Sequence, residues 1–127
     1  MIAQIQDLLN LGVFFEKTKD QKISFKTSYK LVKLAKEAEQ AQQFYNDKLR
    51  EIVMTYSEKD ENGNPIPTTD GQGIKIQEGK INDCYNEIEE LKHTEISIPD
   101  YLFTLEEFDN VELTPIETNA IVPFIKE

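Results

Sequence analysis

Residues able to act as nucleophiles or metal ligands are few and far apart in this chain. There is one cysteine, Cys84, and one histidine, His93, so a zinc site with several Cys and His ligands cannot be assembled from one copy. The two residues are nine positions apart, which is about 13 Å along a helix axis and too far for a catalytic dyad. Cys84 falls on the apolar face of a predicted helix and is expected to be a buried thiol. His93 falls at the end of that helix, where it would interact with the last carbonyls.

The carboxylates show no arrangement that predicts acid–base or calcium chemistry. Glu89–Glu90 and Glu106–Glu107 are adjacent pairs, and adjacent helical residues do not face each other, so both pairs are expected to form solvated acidic surface. The segment 60–64 looks like the start of a calcium loop, but its sixth and twelfth positions hold Pro65 and Gly71, where an EF-hand needs Gly and Glu. The phosphate-binding glycine motifs are also absent from the sequence. We therefore predict a chain that is not an enzyme and has no metal or cofactor site.

A row of lysines is the strongest candidate for a binding site. On a helix, several of its members share one face, which would suit an acidic partner or a phosphate backbone. Two other interpretations stay open: the lysines pair with the acidic C-terminal half of the chain, or they form a solvated face. Because the sequence shows no aromatic residues interleaved with them and no net positive domain, direct nucleic-acid binding is not expected. The candidate partner-binding residues are Lys22, Lys26, Lys30, Lys33 and Lys36.

The net charge is −10 and is unevenly distributed along the chain. Residues 1–57 carry nine Lys and Arg against seven Asp and Glu, whereas residues 58–127 carry five against seventeen. An acidic half is repelled by nucleic acid and by anionic membrane surfaces. The single cysteine indicates a reducing compartment, and the chain shows neither a basic signal-peptide start nor an apolar run of about 18 residues. We expect a cytoplasmic protein that does not associate with membranes.

One long helix dominates the predicted structure. From Ser24, a suitable N-cap, to Tyr56 there is no Gly or Pro, and apolar residues recur at spacings of three and four. About 32 helical residues would reach about 48 Å. A helix of this length cannot be covered on every side by so small a domain, so part of it is expected to project or to pack on a second copy or a partner. The predicted apolar face consists of Leu31, Leu34, Ala38, Ala41, Tyr45, Leu49, Ile52 and Tyr56.

Shorter elements are predicted on both sides of the long helix. Residues 2–17 show helical spacing, with an end or a bend near Gly12. Residues 57–76 are rich in turn dipeptides and predict either a small β-hairpin or a mobile loop. Residues 78–92 again show helical spacing, and the simplest arrangement folds this helix back, antiparallel, on the C-terminal half of the long one.

The C-terminal residues are expected to wrap back and to supply much of the core. Glu95–Ile98 alternates like a short strand, and Thr114–Glu117 has the pattern of a capped helix start. The predicted fold class is therefore mainly α (α+β), in a single domain covering residues 1–127. It contains a long helical hairpin with a small β-hairpin or loop at its tip, and a C-terminal tail that packs back as a short strand plus a short helix.

The chain resembles a group of short, uncharacterised proteins of bacteriophages and prophages of Gram-positive bacteria. The likeness lies in the segment KTSYKLVKL at Lys26–Leu34, in DENGN at residues 60–64, and in Leu113–Pro115 followed by Pro123–Ile125. Their order and spacing cover nearly the whole chain, although each motif alone is unspecific. The resemblance implies a phage origin, and it brings no functional residue with it.

The leading functional hypothesis is a non-enzymatic phage protein that acts by protein–protein interaction in the host cytoplasm. It would assist virion assembly, or bind and inhibit a host factor, and it would form a homo-oligomer through the long helix or bind another protein. A second hypothesis is an acidic nucleic-acid mimic that inhibits a host nuclease or defence system. A third is a minor structural component of the virion.

Overall fold

The computed structural model describes residues 1–126, so Glu127, the last residue of the predicted domain, lies outside the described residues. These residues form two compact units, one of Met1–Gln43 with the chain from Thr94 onward, and one of Phe44–His93. The elements in chain order are β1 (Ile2–Gln4), α1 (Ile5–Leu9), α2 (Leu11–Thr18), α3 (Phe25–Tyr56), α4 (Ile81–Lys92), β2 (Glu95–Ser97), a first 3₁₀ helix (Leu105–Phe108), α5 (Pro115–Ile121) and a second 3₁₀ helix (Val122–Phe124). The predicted fold class, mainly helical with a minor β element, is confirmed.

The long helix is the predicted one almost to the residue. The Ser24 carbonyl accepts a hydrogen bond from the Ser28 N–H at 2.8 Å, and the Ser24 hydroxyl accepts one from the Thr27 N–H at 3.4 Å, so Ser24 caps α3 as expected. The predicted apolar face is the covered one. Leu31, Leu34 and Ala41 are buried, and Ala38, Tyr45, Leu49, Ile52 and Tyr56 are half-buried.

The start of the chain differs from the prediction. Ile2–Gln4 is a strand, not the first turn of a helix, and it pairs antiparallel with β2 so that Ile2 lies opposite Ser97. The terminal ammonium group of Met1 fixes this pairing by donating to the Ile98 carbonyl at 2.7 Å. The helical part is divided at Asn10, between α1 and α2, and not at Gly12. Because Ile2 and Ile5 also fit helical spacing, the strand becomes apparent only through its partner far along the chain.

The core of the first unit is built from α2, the start of α3 and the C-terminal tail. Phe14, Leu34, Phe103 and Phe124 have no exposed surface. The Phe108 ring contacts two of them, with its centroid 5.5 Å from that of Phe14 and 5.2 Å from that of Phe103. The Phe103 N–H donates to the Phe124 carbonyl at 2.8 Å, which closes the tail onto the core. The predicted return of the C-terminal tail is confirmed.

The short C-terminal helix is capped by the residues that predicted it. Thr114 accepts a hydrogen bond from the Glu117 N–H at 3.3 Å, and its own N–H donates to the Glu117 carboxylate at 2.8 Å. With Pro115 in the first position, this is the reciprocal capping pattern expected from the sequence. The cap fixes the direction of α5, and Ile121 at the end of this helix is buried in the core.

In the second unit, α4 runs antiparallel to the C-terminal part of α3. The Tyr56 side chain interacts with Glu87 in the middle of α4, and Tyr45 lies near Lys92 at its end. The connecting segment contains two successive tight hairpins, with antiparallel bridges between Lys59 and Pro65 and between Pro67 and Ile74. Of the two interpretations of residues 57–76, the structure favours the hairpin.

Candidate functional site

The five candidate lysines do not form one exposed group. Lys30 turns inward, where its ammonium group donates to the Glu107 carboxylate at 3.0 and 3.2 Å and to the Leu102 carbonyl at 3.2 Å. The same ammonium group lies 5.2 Å from the centroid of the Phe103 ring. Lys30 therefore stabilises the fold, in agreement with the interpretation that lysines pair with the acidic half of the chain.

Glu107 corrects the expectation of a solvated acidic pair, because its side chain is only 14% exposed. Besides Lys30, its carboxylate accepts hydrogen bonds from the Thr27 hydroxyl at 3.0 Å and from the Thr104 N–H at 2.7 Å. Burial opposes the charge of Glu107, but the Thr104 N–H, Lys30 and Thr27 outweigh it and lower the pKa below its ordinary value. Glu106, its neighbour, is exposed as predicted.

The other side of α3 exposes apolar residues at helical spacing. Phe25 is 84% exposed, Tyr29 54% and Val32 53%. The Phe25 and Tyr29 rings lie almost parallel, with an angle of 20° between their planes and centroids 6.1 Å apart. At spacings of four and three, the three residues share a face opposite the buried side of the helix. Phe25 and Tyr29 alternate in sequence with Lys26 and Lys30, so the expectation that no aromatic residues are interleaved with the lysines is wrong.

The remaining lysines lie along one side of this apolar strip and at its two ends. The Lys33 ammonium group lies 5.0 Å from the centroid of the Tyr29 ring, and the contact with Tyr29 raises the pKa of Lys33, so this lysine stays charged. Lys22, Lys26 and Lys36 are exposed and form no ion pair with any residue in 1–126. We call the basic aromatic surface the group formed by Lys22, Phe25, Lys26, Tyr29, Val32, Lys33 and Lys36.

Two clefts lie beside the basic aromatic surface, one on each flank. The first cleft has a volume of about 370 Å³ and lies between the start of α3 and the first 3₁₀ helix; its lining includes Lys22 and Lys26 on one side and Glu106 and Asn110 on the other. A second cleft, of about 280 Å³, is lined by Ser28, Val32 and Ala35 on the opposite flank of the helix. The basic aromatic surface contains four lysines and no acidic residue, so it is positive in an acidic chain.

The residues considered for catalysis, Cys84 and His93, lie outside the basic aromatic surface, and their contacts are those of structural residues. Cys84 is 5% exposed on the inner face of α4, as predicted, and burial together with the nearby Glu87 raises the pKa of its thiol. A raised pKa keeps the thiol protonated and disfavours nucleophilic attack. His93 follows the last residue of α4, and its backbone N–H donates to the Glu89 carbonyl at 3.2 Å. Among residues 1–126, no group of three acidic, Cys or His side chains is placed to hold a metal ion.

Comparisons with protein-family models, with curated proteins and with solved structures give no match. The resemblance to phage and prophage proteins stays a prediction. Among the described residues, no helix is both long enough and apolar enough to cross a membrane.

Proposed function

We propose that this chain is a non-enzymatic phage protein that acts by binding another protein through the basic aromatic surface. The observation that carries the proposal is the exposure of Phe25 and Tyr29, which lie side by side on a regular helix among lysines. A contiguous exposed apolar patch with a charged rim is typical of interaction sites. Aromatic residues also dominate the binding energy of interfaces.

The surface predicts the chemistry of its partner. Lysines that form no ion pair within residues 1–126 favour an acidic partner, since complementary charge speeds encounter and selects among partners. Phe25, Tyr29 and Val32 need an apolar counterpart, because they provide affinity only if they are removed from water. We therefore propose a partner that presents carboxylates around one or two apolar side chains.

Nucleic-acid binding and enzymatic activity fit these observations less well. A nucleic-acid ligand would approach a chain of net charge −10, and a net negative charge repels the phosphate backbone. An enzyme would need an activated nucleophile or an acid–base pair, whereas burial keeps Cys84 protonated. The single cysteine favours the reducing host cytoplasm as the place of action. There the protein would assist assembly or inhibit a host factor.

Nucleic-acid mimicry is a second candidate, favoured by one feature of α4. Asp83, Glu87 and Glu90 are exposed at spacings of four and three, which places three carboxylates on one face. A mimic would protect phage DNA from a host nuclease, and D83N/E87Q/E90Q would abolish the protection. Full protection by this triple variant would reject mimicry through α4.

The main proposal is tested by affinity purification of the tagged chain from an infected Gram-positive host, followed by mass spectrometry. We expect a specific protein to be recovered with the natural chain and lost with F25S/Y29S and with K26E/K36E. The matched control is K17E/K126E, which makes the same change of charge at exposed lysines outside the surface. Recovery of the same proteins by all variants would overturn the proposal.

A further inference from the structure

We propose that the partner of the basic aromatic surface is a second copy of this chain, which binds through a groove in its Phe44–His93 unit. The inference rests on the proposed function, because it names the occupant of the same surface. It depends on three features of the described residues: the shape of the groove, the opposite charges of the two regions, and the matching spacing of their exposed apolar side chains.

The groove lies beside the start of α4. Its volume is about 520 Å³, and its lining includes Ile76 and Ile81 as apolar residues, Glu58 and Glu78 as carboxylates, and Lys75 as the one basic residue. Ile81 is 63% exposed, and Tyr85, one helical turn further along, is 61% exposed. We call Glu58, Ile76, Glu78 and Ile81 of the lining, together with the adjacent Tyr85, the acidic groove. Like the basic aromatic surface, it has large exposed apolar side chains beside charged ones, but its lining carries two glutamates against one lysine and so has the opposite sign.

The charges of the two regions are complementary. The Phe44–His93 unit carries eleven Asp and Glu against six Lys and Arg, whereas the basic aromatic surface contains four lysines and no acidic residue. Glu78 forms no ion pair with any residue in 1–126. Glu58 is 3.3 Å from the Lys75 ammonium group, but the two side chains are 40% and 58% exposed, and ion pairs in contact with solvent contribute little. Both glutamates can therefore accept the lysines of another copy.

The apolar spacing also matches. Phe25 and Tyr29 are one helical turn apart on α3, as Ile81 and Tyr85 are on α4, so each pair spans about 6 Å along its helix. Docking one pair on the other removes four large side chains from water without changing either helix. Lys26, Lys33 and Lys36 of the surface can then meet the carboxylates of Glu58 and Glu78.

The test is sedimentation velocity of the full chain over a wide concentration range, at low and high salt. We expect self-association that weakens with salt, because charged rims are screened. F25S/Y29S and I81S/Y85S are each expected to raise the dissociation constant about tenfold or more, as for central interface residues. All four positions are exposed, and thermal melts followed by circular dichroism show that the variants stay folded. K17E/K126E is the control and is expected to associate as the natural chain does.

Charge reversal distinguishes the proposed contact from any other form of association. K26E/K36E and E58K/E78K are each expected to lose self-association, because like charges then face each other. Mixed together, they are expected to associate again, because the unaltered surface of E58K/E78K can bind the unaltered groove of K26E/K36E, and the two altered regions also carry opposite charges. Association that is unaffected by these variants, or a mixture that stays monomeric, would overturn the inference.

Failure of the inference can be told apart from failure of the proposed function. If the chain is monomeric at every concentration but F25S/Y29S still loses a captured protein, the second-copy inference is wrong and the proposed function stands. If a fluorescent oligo-dT strand binds the chain and F25S/Y29S abolishes this binding, the surface recognises nucleic acid and both proposals are wrong.

Discussion

Glu107 joins the start of α3 to the first 3₁₀ helix, since Lys30, Thr27 and Thr104 all donate to its carboxylate. We expect E107Q to lower the free energy of unfolding by about 1–3 kcal/mol, because it weakens several hydrogen bonds to a partly buried charge. Urea unfolding followed by circular dichroism measures this. E106Q is the control: its side chain is exposed, and its effect should stay within about 0.5 kcal/mol. Equal effects of the two variants would show that the Glu107 contacts contribute nothing.

The same carboxylate predicts how stability depends on pH. Its pKa in the folded chain is below the ordinary value of 4.5, so the folded state favours the charged form. Its contribution to stability is therefore complete above pH 4.5 and is lost as the pH falls through the folded pKa. We expect the free energy of unfolding to decrease more steeply in this window for the natural chain than for E107Q. Parallel curves for the two proteins would contradict the predicted role of Glu107.

At the scale of elements, α3 is expected to be unevenly stable along its length. Leu31, Leu34 and Ala41 are buried, whereas Leu49 and Ile52, in the C-terminal part, are only half-buried. Local opening becomes easier where fewer apolar contacts hold a segment. We expect amide hydrogen exchange to be slower at residues 31–41 than at residues 49–55. Uniform protection along the helix, measured on the same sample by NMR or mass spectrometry, would contradict this.

Elements that depend on local signals were predictable from the sequence. The long helix has an uninterrupted apolar spacing and a Ser24 cap, and α5 has Thr114, Pro115 and Glu117 in their capping positions. The strand β1 was missed, because three residues form a strand only when a distant partner exists, and its partner is β2. The spacing at residues 2–5 carries no information about that partner.

The candidate site was predicted only in part. The lysines were found by their spacing, but Lys30 turned out to bind Glu107, 77 residues further along the chain, and no local pattern reveals such a pair. Phe25 and Tyr29 are not among the predicted site residues, although their spacing of four is visible in the sequence. The missing information was which face of α3 is buried, since the same two rings on the opposite face would have been core residues.

At the scale of the whole molecule, α3 contributes residues to both units, with Leu34 in one and Tyr56 in the other. A helix forms cooperatively along its length, so the prediction of a single domain implies that the two units unfold together.

L34A removes a side chain with no exposed surface and should lower the free energy of unfolding by about 2–5 kcal/mol. Cys84, buried in the other unit, reports separately through the rate at which a thiol reagent modifies it in increasing urea. Two urea midpoints are compared, one from the modification of Cys84 and one from unfolding followed by circular dichroism. If the chain unfolds in one transition, L34A lowers both midpoints by the same urea concentration. An unchanged Cys84 midpoint would mean that Phe44–His93 is a folding unit of its own, and the single-domain prediction would then be wrong.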